Sequence, residues 1–432
     1  MVYRLLTVTL LLTFVSAWGC KEDNISSEVP GNLDGLVNSA HLDDLYEEIV
    51  IGEDTMAIIH IYSEYPDYAW LSDDDEGASA LDDVARAAIF YMMNYQSTGD
   101  EQNLLKVKRL LSFILHMQAN SGFFYNFIWD DHTKNRTFKT SVPQPNWWTW
   151  RAMWALSEGY PYFESTDKVF ADRMTESLKK AADAIKDRLP ISTGTKSVAG
   201  FEVPTWLPGE TASDQAAVMI LGLLNYYEIT GDAWALEYIR NLANGMMLMQ
   251  AGDSSNFPFN AFLSWENIWH AYGNSQAHAL LKAGKQLNEP SFIQSGLDEV
   301  TDFYPYMIEN NLSDFAIKVQ NDEIINERSN KYPQIAYNYR PMVLASLEAY
   351  EITGDEKYAE QAGKIACWLF GKNIDNAKMY FSESGICFDG ISGSQSVNQN
   401  SGAESTIEAL LILQAIEQNQ IAKQVVMDYI NR

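Results

Sequence analysis

Three carboxylates from distant parts of the chain have neighbours that suit acid–base chemistry. Asp83 follows Asp82 and lies one helical turn before Arg86. Glu210 lies in a Pro-Gly-Glu-Thr segment, and Glu404 follows an Asn-Ser-Gly-Ala segment. Hydrolysis of a glycosidic bond uses a protonated carboxyl and a second carboxylate on opposite sides of the bond, and burial or a like charge raises the pKa of the acid. We therefore predict Asp83, Glu210 and Glu404 as catalytic residues.

The adjacent pair Asp82 and Asp83 cannot act together on one site. Neighbouring residues of a helix point about 100° apart, so only one of the two carboxylates can face a central cavity. We predict that Asp83 faces the cavity and that Arg86, on the next turn, pairs with Asp82.

Aromatic, amide and arginine side chains are concentrated near these carboxylates. Aromatic rings stack on the apolar faces of sugars, and arginine binds carboxylates or sulfates of acidic sugars. Helix capping, core packing and structural salt bridges are alternative roles for single residues, but capping does not explain the tryptophans at 147–148 and 265–269. The predicted substrate-binding residues are Asp82, Arg86, Trp148, Arg151, Trp265, Glu266, Tyr339, Arg340, Asp389 and Asn400.

A recurring turn, Tyr-x-x-Thr-Gly-Asp, divides the chain into units that would position these residues. It occurs at 95–100, 227–232 and 350–355, with weaker copies at 163–167 and 284–289. Glycine supplies the left-handed residue that ends one helix, and aspartate caps the next. The acidic markers recur about every 64 residues, and one more step ends near residue 418. The chain therefore contains six units, each a helical hairpin with one long loop.

The helices on either side of each turn differ in character. Helices before the turns are apolar on most faces, whereas those after them are amphipathic, as at 356–370. This alternation predicts an inner ring of helices within an outer ring, and strand signals are confined to short stretches such as 316–319 and 379–381. The predicted fold class is all-α, an (α/α)6 toroid over residues 45–432.

The chain resembles the six-hairpin glycosidase-like (α/α)6 toroids. Three motifs are also similar to a toroid domain attached to some bacterial glycosyltransferases: Leu-Asp-Asp-Val-Ala-Arg-Ala at 81–87, Cys-Phe-Asp-Gly at 387–390, and Asn-Gln-Asn-Ser-Gly-Ala-Glu-Ser-Thr at 398–406. The resemblance implies a carbohydrate substrate. In such an array the segments that lead into the inner helices meet at one mouth, and ring closure would bring Glu404 near Asp83.

The N-terminus has the features of a lipoprotein signal. Arg4 precedes an apolar stretch at 5–15, and Ser-Ala-Trp-Gly-Cys at 16–20 resembles a bacterial lipobox. Lys-Glu-Asp at 21–23 resembles the surface-export signal of Bacteroidetes lipoproteins. We predict a signal peptide at 1–20 with lipidated Cys20 and a flexible tether at 21–44. The protein would then be a secreted, surface-exposed outer-membrane lipoprotein, held to the membrane by its lipid alone.

The net charge and the spacing of the cysteines and histidines limit the classes of partner and ligand that we expect. A net charge of −28 argues against nucleic acid or an anionic membrane surface as a partner. The cysteines and histidines show no metal-ligand spacing, so we expect no metal and no cofactor. Cys367 and Cys387 could form a disulfide or remain a buried free pair. The predicted partners are a carbohydrate substrate and other surface glycan-utilisation proteins.

The favoured function is a surface-anchored glycoside hydrolase acting on an oligo- or polysaccharide through paired carboxylates. One alternative is a polysaccharide lyase, with Tyr337, Tyr339 or His270 as base and Arg340 neutralising a uronate. The other is a glycan-binding protein without catalysis, because fold does not fix function. His270 and His278 also suit purely structural roles.

Overall fold

The structure, a computed structural model, describes residues 35–432. The predicted signal peptide, Cys20 and residues 21–34 of the predicted tether lie outside the described residues. Among the helices that are described, none combines the length and apolar character that crossing a membrane requires.

Helices dominate the described chain, and short strands lie between them. The α-helices are α1 (Ala40–Leu45), α2 (Leu81–Thr98), α3 (Glu101–Met117), α4 (Trp147–Phe163), α5 (Lys168–Arg188), α6 (Ser213–Thr230), α7 (Ala233–Leu248), α8 (Gln276–Leu287), α9 (Pro290–Asp298), α10 (Tyr304–Asn310), α11 (Arg340–Thr353), α12 (Glu356–Ala366), α13 (Ala403–Glu417) and α14 (Gln420–Ile430). A π-helical segment, Glu299–Phe303, joins α9 to α10, and 3₁₀ turns span Ala336–Asn338 and Cys367–Leu369.

The inner ring consists of α2, α4, α6, α8, α11 and α13. Each of these helices packs against the next, and α13 packs against α2, which closes the ring. The helix that follows each inner helix packs against it from the outer ring: α3, α5, α7, α9, α12 and α14. Residues 405–416 of α13 are all buried, as expected for an inner helix, whereas α12 is buried along one face only. The chain is an all-α (α/α)6 toroid, as predicted.

The recurring turns have the predicted geometry. Gly99, Gly231 and Gly354 end inner helices in the left-handed conformation. The following aspartates begin the outer helices: the Asp100 side chain accepts a hydrogen bond from the backbone N–H of Gln102, and Asp232 and Asp355 make the equivalent bonds. These caps satisfy amide groups that the helix itself leaves unpaired.

Short antiparallel hairpins shape the long loops that lead into the inner helices. Strand signals at 316–319 and 379–381 correspond to strands β12 (Asp314–Gln320) and β14 (Tyr380–Phe381). A three-stranded sheet is formed by β12 with β11 (Ile268–His270) and β13 (Glu323–Asn330). The strands are β1 (Tyr46–Ile51), β2 (Asp54–Ile59), β3 (Tyr62–Glu64), β4 (Ala69–Leu71), β5 (Ser79–Ala80), β6 (Phe127–Ile128), β7 (Thr195–Val198), β8 (Phe201–Pro204), β9 (Gln250–Asp253), β10 (Asn256–Phe262), β11 (Ile268–His270), β12 (Asp314–Gln320), β13 (Glu323–Asn330), β14 (Tyr380–Phe381), β15 (Ile386–Cys387), β16 (Gly390–Gly393) and β17 (Ser396–Asn398).

Residues 36–44, assigned above to a flexible tether, belong to the folded domain. Leu36 and Leu42 are buried in the core. The backbone N–H of Leu36 donates to the Glu417 carboxylate at 2.5 Å, and the His41 ring is 2.8 Å from the carbonyl oxygen of Ser401. Apolar side chains at these positions anchor the segment to the last hairpins. The folded domain therefore includes Leu36, ahead of the predicted boundary at residue 45.

The two cysteines of the folded domain are free thiols. Cys367 and Cys387 are both buried and unbonded to each other. Burial raises the pKa of Cys367 to about 11 and also raises the pKa of Cys387. Both thiols therefore stay protonated, and the open question of a disulfide resolves in favour of a free pair.

Candidate active site

A cleft of about 480 Å³ opens where the first turns of the inner helices meet the long loops. We call it the mouth cleft. A recess of about 160 Å³ adjoins it and shares Ile335, Tyr337 and Glu404 with it. Residues lining the mouth cleft include Glu76, Asp82, Asn126, Trp147, Trp148, Arg151, Tyr272, Tyr337 and Glu404. Carboxylate, arginine and aromatic groups therefore converge at the predicted end of the toroid.

Arg86 joins the first hairpin to the sixth. Its Nη2 donates to Asp83 Oδ1 at 2.5 Å. Its Nη1 donates to Glu404 Oε2 at 3.0 Å and to Glu408 Oε1 at 2.9 Å. The guanidinium is almost completely buried, where charge-assisted hydrogen bonds are strong. Because α13 lies beside α2, ring closure brings Asp83 and Glu404, predicted neighbours, onto one guanidinium.

Asp82, rather than Asp83, faces the mouth cleft. Asp82 lines the cleft and accepts a hydrogen bond from Arg151, whereas Asp83 is only 5% exposed and lies beneath it. The carboxylate of the pair that lines the cleft is therefore Asp82, and the prediction that it is Asp83 is wrong. Helix α2 is rotated so that Asp83 contacts Arg86 inside the ring. Burial raises the pKa of Asp83 to about 7, and the Arg86 charge opposes this shift.

Tyr337 lies among three arginines. The carbon at the centre of each guanidinium is close to the centre of the Tyr337 ring, at 5.4 Å for Arg86, 5.1 Å for Arg151 and 5.2 Å for Arg340. Nη2 of Arg151 donates to the Tyr337 hydroxyl at 2.5 Å. Burial raises the pKa of Tyr337, although the three cations favour ionisation. Tyr337 therefore holds the arginines in place while one face lines the cleft.

Arg340 binds within the ring rather than in the cleft. Its Nε donates to Glu408 Oε2, and both side chains are buried. The prediction that Arg340 contacts substrate is not supported by this position, since the mouth cleft is lined by Arg151 instead. Ion pairs connect seven charged side chains into one group, which we call the charged cluster: Asp82, Asp83, Glu404, Glu408, Arg86, Arg151 and Arg340.

Glu404 and Asp389 line the recess together. The Glu404 side chain is 45% exposed, and it also lines the mouth cleft. Asp389 Oδ1 accepts hydrogen bonds from the Gly402 backbone at 2.8 Å and from Ser405 Oγ at 2.7 Å. Burial raises the pKa of Asp389, while those two hydrogen bonds oppose the shift. One recess thus holds an accessible carboxylate and a carboxyl whose pKa is raised by burial.

Glu210 and Glu266 lie outside the mouth cleft. Glu210 is 64% exposed and pairs with Lys196 at 2.7 Å, and Glu266 lies 3.7 Å from the same ammonium group. The hydrogen bond from Lys196 lowers the pKa of Glu210. A solvent-exposed carboxylate with a lowered pKa is a poor general acid. The prediction of Glu210 as catalytic therefore fails, because the loop carries it to the surface.

The aromatic predictions divide between cleft and core. Trp148 lines the cleft but is only 4% exposed, and its indole N–H donates to the Phe124 carbonyl at 2.7 Å. Tyr339 stacks on Trp368 at 4.7 Å in the core, so it is not a stacking platform. Trp147 is more exposed than Trp148 and packs on Arg151. Trp147 is thus the better platform.

The buried pair formed by Asp214 and by His270, in the segment that leads into α8, supports the cleft. His270 Nε2 lies 3.0 Å from Asp214 Oδ2, and both side chains are buried. Tyr272 stacks on His270 at 4.0 Å and is itself 44% exposed to the cleft. Trp265 packs against the same imidazole at 4.6 Å. Trp265 therefore supports the loop through His270 instead of lining the cleft.

Sequence reasoning missed two contributors to the site. Glu408 is fully buried in α13 and joins Arg86 to Arg340. An isolated glutamate within the apolar run Ile-Glu-Ala-Leu-Leu at 407–411 was a usable signal for a buried ion pair. Tyr272 gave no comparable signal. The predicted Asn400 side chain accepts from the Tyr65 backbone N–H at 3.1 Å and so holds the loop beside the recess.

No protein-family model and no curated protein sequence matches the chain. Among solved structures, it is similar to cellobiose 2-epimerase from Bacillus thermoamylovorans B4167, with a TM-score of 0.60, 13% identity, and coverage of 88% of this chain and 95% of that one. It is also similar to a D-mannose isomerase, with a TM-score of 0.55, 10% identity, and coverage of 90% of this chain and 94% of that one. The cellulase Cel9M of C. cellulolyticum in complex with cellobiose has a TM-score of 0.50 and 12% identity, with coverage of 80% of this chain and 86% of that one. These similarities show the shared (α/α)6 toroid fold.

Proposed function

We propose that this chain is a carbohydrate-active enzyme that hydrolyses glycosidic bonds of an oligo- or polysaccharide at the mouth cleft. The observation that carries the proposal is the recess in which Glu404 and Asp389 lie together, next to a cleft lined by half-buried Trp147 and exposed Tyr272. The similar toroids named above are a cellobiose 2-epimerase, a D-mannose isomerase and a cellulase in complex with cellobiose. Carboxylates beside aromatic surfaces are the groups that glycoside hydrolysis needs.

Asp389 is the proposed general acid, and Glu404 is the second carboxylate. Burial favours the protonated form of Asp389, so it can donate a proton to the oxygen of the leaving sugar. Glu404 is open to the cleft and is oriented by the hydrogen bond from Arg86. Asp82, fixed by Arg151, then binds sugar hydroxyls in the adjoining cleft.

An aromatic hairpin next to the recess supports a substrate of more than one sugar unit. In β3 and β4, Tyr62 and Trp70 are 38% and 46% exposed, and Tyr65 between the strands is 55% exposed. Tyr62 also lines the recess. Flat rings that continue outward from a site give further sugar units surfaces on which to stack.

The first test measures hydrolysis on a glycan panel with matched variants. We expect new reducing ends from at least one glycan, and Glu404→Gln and Asp389→Asn should each lower kcat by about 100-fold or more. Glu210→Gln is the control: it removes an exposed carboxylate outside the cleft and should retain full activity. Asp389→Asn should lose less on aryl glycosides with an acidic leaving group, which need less protonation. Full activity in folded Glu404→Gln would overturn the assignment.

Sugar epimerisation or isomerisation is the second candidate. The buried Asp214–His270 pair lies directly beneath Tyr272, and His270 Nδ1 has no hydrogen-bond partner among the described residues. A loop movement that displaced Tyr272 would expose this imidazole as a base. Product analysis separates the candidates: an epimer without new reducing ends indicates epimerisation, unsaturated uronates indicate a lyase, and binding without turnover indicates a glycan-binding protein.

We also propose that the domain is carried on the outer cell surface by a lipid on Cys20, near other glycan-utilisation proteins. The lipobox-like segment at 16–20 and the acidic residues after it support this location. In bacteria that express the full chain, Cys20→Ala should release the protein from the membrane fraction. Membrane association of that variant, or protease resistance of the natural protein on intact cells, would contradict the proposal.

A further inference from the structure

A second pocket lies inside the ring of inner helices. It has a volume of about 190 Å³. The second halves of α2 and α4 contribute Met92, Met93, Glu158 and Tyr162, whereas the first turns of the same helices line the mouth cleft. We call it the axial pocket. Its distinct lining makes it a separate candidate site.

Two residues that line the axial pocket each have a buried nitrogen without a hydrogen-bond partner among the described residues. Arg340 and His278 both line the pocket and are 1% and 7% exposed. Within the described part of the chain, Arg340 Nη1 and His278 Nδ1 have no partner. A buried donor without an acceptor is unfavourable, so both atoms suit a ligand that brings acceptor atoms.

The charged side chains that line the pocket are Glu158, Lys282 and Arg340, and Arg340 is also paired with Glu408. Lys282, half-buried on α8, adds a second cation to Arg340. Burial, with Lys282 and Arg340 nearby, lowers the pKa of His278 well below its ordinary value, so the imidazole is neutral and its N–H can donate. Glu158 also lines the pocket, but the Asn225 amide donates to it at 2.6 Å.

The rest of the lining is apolar. Ile89, Leu344 and Leu411 complete the surface formed by the two methionines and by Trp154. A dry engineered cavity of about 150 Å³ holds benzene, so the axial pocket has room for a ring or short chain plus one small polar group. Methionine side chains also adapt to ligands of irregular shape.

We propose that the axial pocket is a binding site for a small monocarboxylate with an apolar body. The carboxylate accepts hydrogen bonds from Arg340 Nη1, His278 Nδ1 and the Lys282 ammonium. The apolar body contacts the methionine and tryptophan side chains. This site is separate from the mouth cleft, and the inference does not depend on the hydrolytic reaction.

The test is calorimetric titration of the full protein with benzoate, using benzamide as the neutral probe of the same shape. Benzoate should bind, and benzamide should bind at least about tenfold more weakly because it lacks the charge. Lys282→Met should weaken benzoate binding about tenfold while preserving side-chain length. Leu344→Trp, which fills the pocket, should abolish it.

Lys179→Met is the matched control, since this exposed lysine on α5 changes the net charge equally but is remote from the pocket. It should leave benzoate affinity unchanged. Circular dichroism of each variant confirms folding, and Lys282→Met suffices if Leu344→Trp does not fold. Absence of benzoate binding, equal affinity for benzamide, or an equal loss in Lys179→Met would overturn the proposal. Because the readout is binding, failure of the hydrolysis assay leaves this result interpretable.

Discussion

At the scale of single residues, the charged cluster contains four carboxylates and three guanidiniums. Asp83 is buried and shares its partner Arg86 with Glu404 and Glu408. Burial raises the pKa of Asp83 to about 7. The buried centre of the site therefore takes up a proton near neutral pH, which limits the repulsion among its carboxylates.

The stability of the protein should depend on the protonation of Asp83. Folded Asp83 keeps its proton up to about pH 7, whereas the ordinary value is 3.8. The stability that protonated Asp83 contributes is therefore fully present below pH 3.8 and is lost as the pH rises through about 7. We expect the free energy of unfolding in urea to fall between about pH 4 and about pH 7, and to fall less in Asp83→Asn. Parallel profiles for the two proteins would contradict this assignment.

Residue types could be predicted at this scale, but orientations could not. The mixture of carboxylate, arginine and tryptophan identified the segments that form the mouth cleft. The choice between Asp82 and Asp83 depends on the rotation of α2 about its axis, which is set by packing against α3, α4 and α13. Glu210 reached the surface because its loop pairs with Lys196, and sequence spacing contains no information on that pairing.

At the scale of elements, the turns connect the two rings with little variation. Gly354 has a φ of +70°, and a Cβ added there would meet nothing within 4 Å. Its value to the fold is therefore conformational freedom rather than close packing. The same holds for Gly99 and Gly231, whose φ angles are +69° and +64°.

Replacement of Gly354 isolates that conformational contribution. We expect Gly354→Ala to destabilise the protein by about 1 kcal/mol, because a side chain in the left-handed region is strained. Gly354→Asn should cost less, since asparagine tolerates this conformation. Urea unfolding of the three proteins measures both effects. Equal stability of the alanine and natural proteins would show that the turn relaxes to another shape.

Helices were easier to predict than loops for a physical reason. Helix ends are specified by local caps such as Asp100 and Asp232, which the sequence displays directly. The sheet of β11, β12 and β13 pairs residues from separate parts of the chain, such as Trp269 with Phe315. Its register depends on tertiary packing, so an all-α prediction identified the toroid and underestimated the hairpins that shape its mouth.

At the scale of the whole molecule, closure of the ring creates the site. Glu404 and Glu408 on the sixth inner helix meet Arg86 on the first. The turn period predicted the count of six, and the count predicted this adjacency. The depth of the cleft and the exposed carboxylates were beyond prediction, because they depend on how the six loops pack together.

Removal of the sixth hairpin should unfold the protein instead of shortening it. A chain ending at Gly402 lacks α13, which packs against both α2 and α11, and it leaves Arg86 and Arg340 without Glu408. We expect no cooperative thermal transition by circular dichroism and rapid proteolysis. A chain ending at Tyr429 is the control, because it loses only partly exposed terminal residues such as Ile430. Cooperative unfolding of the shorter chain would indicate an open array.

The packing of residues 36–44 on the last hairpins determines when folding can finish. The hydrogen bond from Leu36 to Glu417 spans 381 positions, and that from Asn38 to Tyr380 spans 342. Contacts between the two ends of a chain form late, because closing so long a loop is entropically costly. During synthesis, residues 36–44 leave the ribosome first in the domain, but they can pack only after the last hairpins have been made. A nascent chain without its final hairpin therefore cannot form these contacts or complete the domain.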